Sequence, residues 1–335
     1  MRQQIDSDLA DFSKTTITET MIEETFQEIS NVQGGHIASL ARVRFKDGII
    51  EVKHQETLSQ IEKYRLQIFL AALKLLQEAV ELPDLDFLVS LADHYDRPLF
   101  LRVTKVPVFT ACKAKANHRS ILFPNGLFDP ERAEVFKKVK AAALMQDWKR
   151  REEIAFWRGS LSEGFYPHFD WDFKPRPLLM FFSKHHPDLV DAGTIENVYF
   201  EAMGYTWKMW MKENYFLREY VPAATQVMFR YLIAIDSTCA PISLQWQLFS
   251  GSTVLKAEST LLQWFYQDLI PYVHYVPFRT DSADLGEKVV WLKEHPEEAL
   301  KIAKNAQVFA EERLTDEAIF HYTYCMLKTY ADLLK

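Results

Sequence analysis

The sequence predicts an α/β protein of two domains that face each other across a cleft. Short apolar runs, typical of buried parallel strands, alternate with amphipathic helical segments along most of the chain. Three such runs in the C-terminal third, Tyr231–Ile235, Thr253–Leu255 and Val273–Phe278, are each followed by small, polar or charged residues. Because ligands of open α/β sheets bind beyond the carboxyl ends of the strands, these three ends predict a cofactor or nucleotide site.

Composition limits the class of protein. A chain of 335 residues, 48% hydrophobic and 14% aromatic, is long enough for two well-packed domains, and a net charge of −7 argues against bulk binding of nucleic acid. The three cysteines have neither disulfide nor zinc spacing, which favours a reducing compartment. The N-terminus lacks the apolar core of a signal peptide, and the longest apolar segment is too short to span a bilayer. We therefore expect a soluble, cytoplasmic protein.

Clusters of basic residues interrupt this acidic background at 113–119, 137–140 and 149–151. Most runs of this kind are solvated helix faces. The alternative is a surface that faces an anionic acceptor or the headgroups of a membrane. Peripheral contact with the inner face of the membrane is left open on this ground.

The N-terminal part reads as helices and strands in alternation. Asp47-Gly48 between alternating apolar residues predicts a β-hairpin with a type I′ turn, and an acidic amphipathic helix over 16–30 precedes it. A helix is predicted from about Glu56 to Glu81. Short strands are predicted at Phe87–Leu91 and Val106–Ala111, as in a parallel-sheet domain.

The C-terminal part begins with a strand at Ile154–Trp157 that runs directly into Arg158-Gly159-Ser160. The charged run Lys149–Glu153 has no apolar position and is a candidate hinge. A final amphipathic helix is predicted over Asp316–Leu334. The predicted domains are 1–150, 151–312, and a helical segment 313–335 that could pack back on the first domain.

Four segments, in order, resemble glycosyltransferase family 90. They are F-L-V-S-L-A-D (87–93), F-W-R-G-S (156–160), R-P-L-L-M-F-F-S (176–183) with P-D-L-V-D-A (187–192), and a C-terminal block with S-G-S-T-V-L-K-A-E-S (250–259). The family includes capsule-associated xylosyltransferase-like proteins, protein O-glucosyltransferases and bacterial lipopolysaccharide-modifying enzymes, and the C-terminal block looks most like the bacterial branch. The resemblance implies a GT-B fold of two Rossmann-like domains, with the donor held mainly by the second. It also implies inverting transfer from a UDP-hexose or UDP-pentose, with no essential metal and no cofactor.

On the acceptor side, the resemblance points to Asp93 as the catalytic base. An inverting transferase needs one base to take the proton of the acceptor hydroxyl as its oxygen attacks C1. Asp93 follows a predicted buried strand, where a carboxylate can be directed into a cleft. The plainer interpretation is that Asp93 caps the following turn.

On the donor side, Arg158, Gly159 and Ser160 match the nucleotide-binding R-G-S of the family. The guanidinium supplies a cationic fork, glycine admits a close ligand, and the hydroxyl can bind a phosphate. Arg176 matches the arginine that begins an R-x-x-L segment and should neutralise the departing diphosphate. The plainer interpretation of Arg176 is a surface arginine.

Three further donor contacts are inferred in the C-terminal block. Lys256 and Glu258 match the K-x-E-S of the bacterial branch, as phosphate and ribose contacts, with an ordinary surface ion pair as the alternative. Asp236 resembles a family aspartate at the same strand end. The expected partners are therefore a UDP-sugar and a glycan or glycolipid acceptor such as lipopolysaccharide, and no nucleic acid.

Departures from the family pattern keep two alternatives open. Ser237 stands where the family usually has glycine, Ser243 stands where eukaryotic members carry an arginine, and residues 161–175 look like an insertion. These changes leave room for a non-catalytic nucleotide-sugar or carbohydrate-binding protein of the same fold, although the presence of Asp93 argues against it. Within the insertion, Asp170-Trp171-Asp172 is a D-x-D that would suit a metal-dependent transferase.

Overall fold

The structure, a computed structural model, describes residues 2–31, 39–56, 58–93, 96, 98–124, 129–161, 174–196 and 205–335. The chain packs into two compact units, and each is assembled from separate chain segments. The first comprises Met1–Arg132, Thr260–Asp268 and Thr315–Lys335, and the second comprises Ala133–Ser259 and Leu269–Leu314. This division begins the second unit earlier in the chain than the boundary predicted at residue 150.

Helices and strands alternate along the described residues, as the sequence predicts. In chain order, the helices are α1 (Arg2–Leu9), α2 (Glu19–Ser30), α3 (Gln60–Ala79), α4 (Pro98–Val103), α5 (Pro130–Met145), α6 (Pro175–His185), α7 (Tyr205–Glu213), α8 (Ala223–Gln226), α9 (Ser243–Phe249), α10 (Leu285–Glu294), α11 (Pro296–Arg313) and α12 (Asp316–Ala331). The strands are β1 (Leu40–Lys46), β2 (Ile49–His54), β3 (Leu85–Ser90), β4 (Val108–Thr110), β5 (Lys113–Ala114), β6 (Ser120–Leu122), β7 (Glu152–Gly159), β8 (Val190–Ile195), β9 (Leu217–Arg218), β10 (Phe229–Ala234), β11 (Thr253–Ala257), β12 (Leu261–Leu262) and β13 (Val276–Phe278). The predicted α/β class is confirmed.

The first unit contains a five-stranded mixed sheet in the order β2-β1-β3-β4-β6. Strand β1 pairs antiparallel with β2 and β3, whereas β3, β4 and β6 run parallel. Asp47 and Gly48 join β1 to β2 with φ angles of 50° and 77°, and two positive φ angles are the requirement of a type I′ turn. The predicted hairpin is therefore confirmed, and its turn residues follow from the chemistry of that turn.

Helix α12 packs on the sheet of the first unit. The ring of Tyr330 meets the rings of Phe87 and Phe109 with centroid distances of 6.3 and 5.1 Å. The Tyr330 hydroxyl donates a hydrogen bond to the Asp86 carbonyl at 3.0 Å, and the Tyr322 hydroxyl donates to the Leu122 carbonyl at 2.9 Å. The last described helix thus belongs to the core of the first unit.

The second unit contains a six-stranded sheet in the order β13-β11-β10-β7-β8-β9, and every pairing in it is parallel. One apolar cluster of its core surrounds Trp157, Tyr231, Ile233 and Leu255, all buried. Because the strands are parallel, their carboxyl ends lie along one edge of the sheet. This edge carries the predicted donor-binding residues.

Two details differ from the sequence prediction. The third C-terminal strand begins at Val276 instead of Val273, because the preceding residues form a turn in which the Tyr272 N–H donates to the Tyr275 carbonyl at 2.6 Å. The charged run proposed as a hinge is anchored in the second unit. There the buried guanidinium of Arg151 donates to the Ser250 carbonyl at 3.0 Å and to the Ser252 hydroxyl at 2.9 Å.

None of the helices in the described ranges is both long and apolar enough to cross a membrane.

Candidate functional site

The candidate site is built on the carboxyl ends of four parallel strands of the second unit. Ser160 follows β7, Asp236 follows β10, Glu258 follows β11 and Thr280 follows β13. Backbone carbonyls at these strand ends accept hydrogen bonds from side chains of other elements. This is the position at which open α/β sheets bind their ligands.

Arg176 connects two of these strand ends. Helix α6 begins with Pro175, a residue favoured at the first position of a helix, and this places Arg176 in the first turn. The Arg176 guanidinium donates hydrogen bonds to the carbonyls of Ile235 (3.3 Å), Asp236 (3.1 Å) and Ser160. It is almost completely buried beside the ring of Trp157, so the interpretation as a surface arginine is excluded. The diphosphate contact stays a prediction.

Three further hydrogen bonds join the loops after β10, β11 and β13. The Ser259 hydroxyl donates to a carboxylate oxygen of Asp236, which joins the loop after β11 to the loop after β10. The Glu258 N–H donates to the Phe278 carbonyl at 2.8 Å, and the Thr280 hydroxyl donates to the Glu258 carbonyl at 2.9 Å. The predicted residues Ser160, Arg176 and Asp236 are thus brought into one hydrogen-bonded group with Ser259. Glu258 precedes Ser259 in the chain, and its side chain is exposed.

Lys256 lies in β11 next to this group, and its side chain is buried. Its Nζ donates to the Ala257 carbonyl at 3.2 Å and lies 5.8 Å from the centroid of the Tyr275 ring. A buried lysine does not form the surface ion pair that was the alternative for Lys256 and Glu258. Burial also raises the pKa of Tyr275, so its hydroxyl remains protonated at neutral pH.

Arg158 makes its hydrogen bonds to β8 instead of the strand-end group. Nη2 of its guanidinium donates to both carboxylate oxygens of Asp191, each at 2.9 Å, and Nη1 donates to the carbonyls of Trp157 and Asp191. These hydrogen bonds from two nitrogens hold the guanidinium in a fixed orientation. Arg158 also lines a cavity of about 370 Å³ beside β8, together with Tyr215 and Arg218.

Gly159 is explained by packing. A Cβ atom at position 159 would lie 2.6 Å from Cζ2 of Trp157, closer than side-chain atoms approach each other. The sequence predicted that a ligand approaches the backbone at Gly159. In the structure, the indole of Trp157, in the same strand, is the group that lies close to Gly159. A role of the Gly159 backbone in donor binding stays a prediction.

Asp93, the predicted base, belongs to the first unit and follows β3. Its carboxylate accepts a hydrogen bond from Nη2 of Arg65 at 2.7 Å, and Nη1 of the same guanidinium donates to the Leu91 carbonyl at 2.7 Å. Arg65 projects from α3, so one side chain fixes both the carboxylate and the backbone before it. The Asp93 side chain is 43% exposed, which leaves it accessible to an acceptor.

Three residues that organise these positions were not predicted as site residues. Asp191 and Ser259 both lie inside segments that carried the family resemblance, at the end of P-D-L-V-D-A and of K-A-E-S. Their position in those segments was the signal by which they could have been predicted as site residues. Arg65 had no local signal, because its partner Asp93 lies 28 residues further along the chain.

The D-x-D at Asp170–Asp172, the candidate metal site, lies outside the described residues, so the metal-dependent alternative stays open. In another D-x-D, Asp84-Leu85-Asp86, the Asp86 carboxylate is paired with Arg42 and Arg44 at 2.5 and 3.0 Å. Among the residues that the structure describes, no three His, Cys, Asp or Glu side chains are arranged to hold a metal ion.

Comparison with known proteins defines the family. All 335 residues match the model of glycosyl transferase family 90. The chain belongs to this family. The zebrafish (Danio rerio) protein O-glucosyltransferase 2 is 28% identical over 337 residues, which cover 98% of this chain and 62% of the relative. The mouse (Mus musculus) protein O-glucosyltransferase 3 is 30% identical over 269 residues, which cover 77% of this chain and 49% of the relative. The chain thus spans about half to two thirds of the length of these relatives.

One solved structure that this chain matches is HepE of Anabaena in complex with UDP. It superimposes with a TM-score of 0.45 and 14% identity, over 69% of this chain and 67% of that chain. No conclusion rests on a similarity of this size.

Proposed function

We propose that this protein is an inverting glycosyltransferase that transfers a sugar from a UDP-sugar to a hydroxyl group. The observation that carries the proposal is the hydrogen-bonded group of Arg176, Asp236 and Ser259 at the carboxyl ends of parallel strands. It lies where an open α/β sheet binds a nucleotide, in a chain of a glycosyltransferase family. The proposed donor contacts are in the second unit, and the proposed base is in the first.

In the proposed reaction, the acceptor oxygen forms a bond to C1 of the donor sugar as the bond between C1 and the diphosphate oxygen breaks. The acceptor proton passes to the carboxylate of Asp93, and UDP leaves with the electron pair of the broken bond. Because the acceptor oxygen attacks from the face opposite to UDP, the configuration at C1 is inverted. The negative charge on the departing diphosphate requires cationic groups and N–H donors. Lys256 and the Arg176-centred loops supply these without a cofactor.

We propose two alternative classes of acceptor, and one activity assay can distinguish between them. The bacterial character of the C-terminal block favours a lipopolysaccharide or another surface glycan, and the protein would then act in the cytoplasm. The names of the zebrafish and mouse relatives favour a protein hydroxyl and make glucose the first donor sugar to test. Both versions use the same base and the same donor group.

The test is UDP release from UDP-glucose, UDP-galactose and UDP-xylose, with a lipopolysaccharide core oligosaccharide or a Ser/Thr-containing peptide as acceptor. Asp93→Asn should lower kcat by about a thousandfold, the size of effect expected for loss of a general base, and should leave the Kd for UDP within a few-fold. Asp84→Asn, at the other end of β3, should leave turnover unchanged. EDTA should have no effect on the rate.

Three results would contradict the proposal. Near-normal turnover by Asp93→Asn would remove Asp93 as the base, and strong inhibition by EDTA would restore the metal-dependent alternative. Tight UDP binding without turnover for any donor and acceptor would favour the non-catalytic binding protein. That alternative is kept because Ser237 and Ser243 replace residues usual in the family.

A further inference from the structure

The C-terminal end of α5 exposes two large apolar side chains. Leu144 and Met145 are 90% and 86% exposed, and these values are the highest among the large hydrophobic side chains in the described part of the chain. They are consecutive and occupy the last two positions of the helix. Two adjacent large apolar side chains that are exposed to water form a candidate contact surface.

Exposed basic residues flank this apolar pair on both sides. Lys137 precedes Leu144 by seven residues, so two helical turns bring both side chains to the same face of α5. Lys149 and Arg150 follow after one short turn and are exposed. We call the surface of Lys137, Leu144, Met145, Lys149 and Arg150 the α5-end surface.

The neighbouring charges limit what belongs to this surface. Lys138 forms an ion pair with Glu134 at 3.4 Å, and Lys140 pairs with Glu311 at 3.0 Å while it lies over the ring of Phe249. Arg151, the last residue of the basic run, is buried. Asp147 is an exposed acidic residue within the segment, and its carboxylate accepts the Lys149 N–H at 3.1 Å.

We propose that the α5-end surface binds membranes that contain anionic lipids. Leu144 and Met145 would enter the boundary between headgroups and acyl chains, while Lys137, Lys149 and Arg150 contact the lipid phosphates. The protein as a whole is acidic, with a net charge of −7, so an anionic bilayer would repel most of its surface. Attachment must therefore depend on a local basic and apolar surface. A second copy of the chain suits this surface less well, because a self-complementary contact would bring lysines and arginines of the two copies together.

The experiment is co-sedimentation of the full chain with phosphatidylcholine vesicles that contain no or about 30% phosphatidylglycerol. We expect binding only to the anionic vesicles, and we expect it to weaken as salt is raised. A basic residue near an anionic surface contributes about 1 kcal/mol, or about fivefold in partitioning, so Lys149→Ala with Arg150→Ala should reduce binding by more than tenfold. Leu144→Ser with Met145→Ser should abolish it.

Matched controls separate this surface from general effects. Lys301→Ala with Lys304→Ala removes two exposed charges from α11, and Ile61→Ser removes a 63% exposed apolar side chain from α3. Both controls should bind vesicles as the unmodified chain does, and circular dichroism should show that all variants are folded. Absence of binding to anionic vesicles, binding that survives both α5-end double substitutions, or equal loss in the controls would overturn the proposal. Binding to a soluble polyanion such as heparin without binding to vesicles would also overturn it, in favour of an acidic macromolecule.

Discussion

Lys113 and Asp8 form a buried ion pair in the first unit. Their side chains meet at 2.7 Å between Nζ and Oδ1, and the two residues are 4% and 2% exposed. The Ser120 carbonyl accepts a second hydrogen bond from Lys113, and the Leu122 N–H donates to Asp8 at 2.8 Å. The pair is therefore fully enclosed by protein groups and attaches α1 to the strands around β6.

We expect Lys113→Met to destabilise the protein by about 3–5 kcal/mol, because it leaves the Asp8 carboxylate buried without its cation. Asp8→Asn combined with Lys113→Met should recover part of this loss, since no charge then remains in the site. Urea denaturation gives the free energies of unfolding. Lys115→Met, at an exposed position two residues away, should change stability by less than about 0.5 kcal/mol. A double variant less stable than Lys113→Met alone would contradict the assignment.

The prediction that Lys113 is a solvated member of the basic cluster 113–119 is wrong for a physical reason. A lysine within a basic cluster is normally solvated. The carboxylate that allows its burial is 105 residues away along the chain. Arg151 is a similar case, since the carbonyls and hydroxyl that accept its hydrogen bonds lie about a hundred residues further on. Local charge patterns contain no information about such partners.

At the scale of elements, Arg176 determines how α6 sits on the sheet of the second unit. One guanidinium binds carbonyls after β7 and after β10, so a single side chain fixes two loops of the candidate site. A guanidinium presents five N–H donors in a fixed plane, and a lysine ammonium does not reproduce that geometry. Arg176 can therefore act on donor binding through the loops that it holds.

We expect Arg176→Ala to weaken UDP binding and also to lower the free energy of unfolding by about 2 kcal/mol or more, because hydrogen bonds to a charged donor are lost from buried carbonyls. Arg176→Lys should recover only a small part of either loss. Calorimetric titration with UDP and thermal unfolding of the same samples measure both quantities. Arg279→Ala removes an exposed arginine paired with Asp281 and should leave the melting temperature nearly unchanged. Weaker UDP binding with unaltered stability would identify Arg176 as a direct diphosphate contact only.

An element could be predicted from the sequence when its own segment carried a clear pattern of turn residues or apolar residues. The β1–β2 hairpin and strands β10 and β11 were predictable, because Asp47-Gly48 and the uninterrupted apolar runs are strong local signals. Strands β5, β9 and β12 have two residues each, too few for a periodic pattern. The strand-end site was predictable as a location, since parallel strands must end together, but the Arg176, Ser259 and Asp191 hydrogen bonds depend on tertiary packing.

A network of ion pairs connects α2 to the strands β1, β2 and β3 of the first unit. The first unit has a network in which Arg42 pairs with both Glu23 and Asp86, at 2.6 and 2.5 Å, and Lys53 pairs with Glu23 at 2.6 Å. Hydrogen bonds from Lys53 and Gln27 lower the pKa of the Glu23 carboxyl from 4.5 to about 2. A carboxyl whose folded pKa is lowered stabilises the fold above its unfolded pKa, and this contribution is lost as the pH falls towards 2.

We therefore expect the melting temperature to decrease between about pH 4.5 and pH 2 in part through Glu23. Glu23→Gln should lower the melting temperature at pH 7 and should make its decline over this acid range less steep. Scanning calorimetry at a series of pH values measures both effects. Glu78→Gln, at an exposed position on α3, is the control and should leave the acid slope unchanged. A slope that is the same in Glu23→Gln and the unmodified chain would exclude Glu23 as a source of acid sensitivity.

The pairing of distant segments in the first unit has a consequence for biosynthesis. The backbone of Ile17 hydrogen-bonds with both Leu333 and Lys335, and the Tyr330 ring completes the cluster around Phe87 and Phe109. A ribosome that adds about 5–20 residues per second needs on the order of tens of seconds to travel from Phe109 to Tyr330. During that time the apolar face of the β3–β4 region has no α12 to cover it, while residues 133–259 have already emerged. We therefore expect the nascent first unit to bind chaperones until α12 has been synthesised.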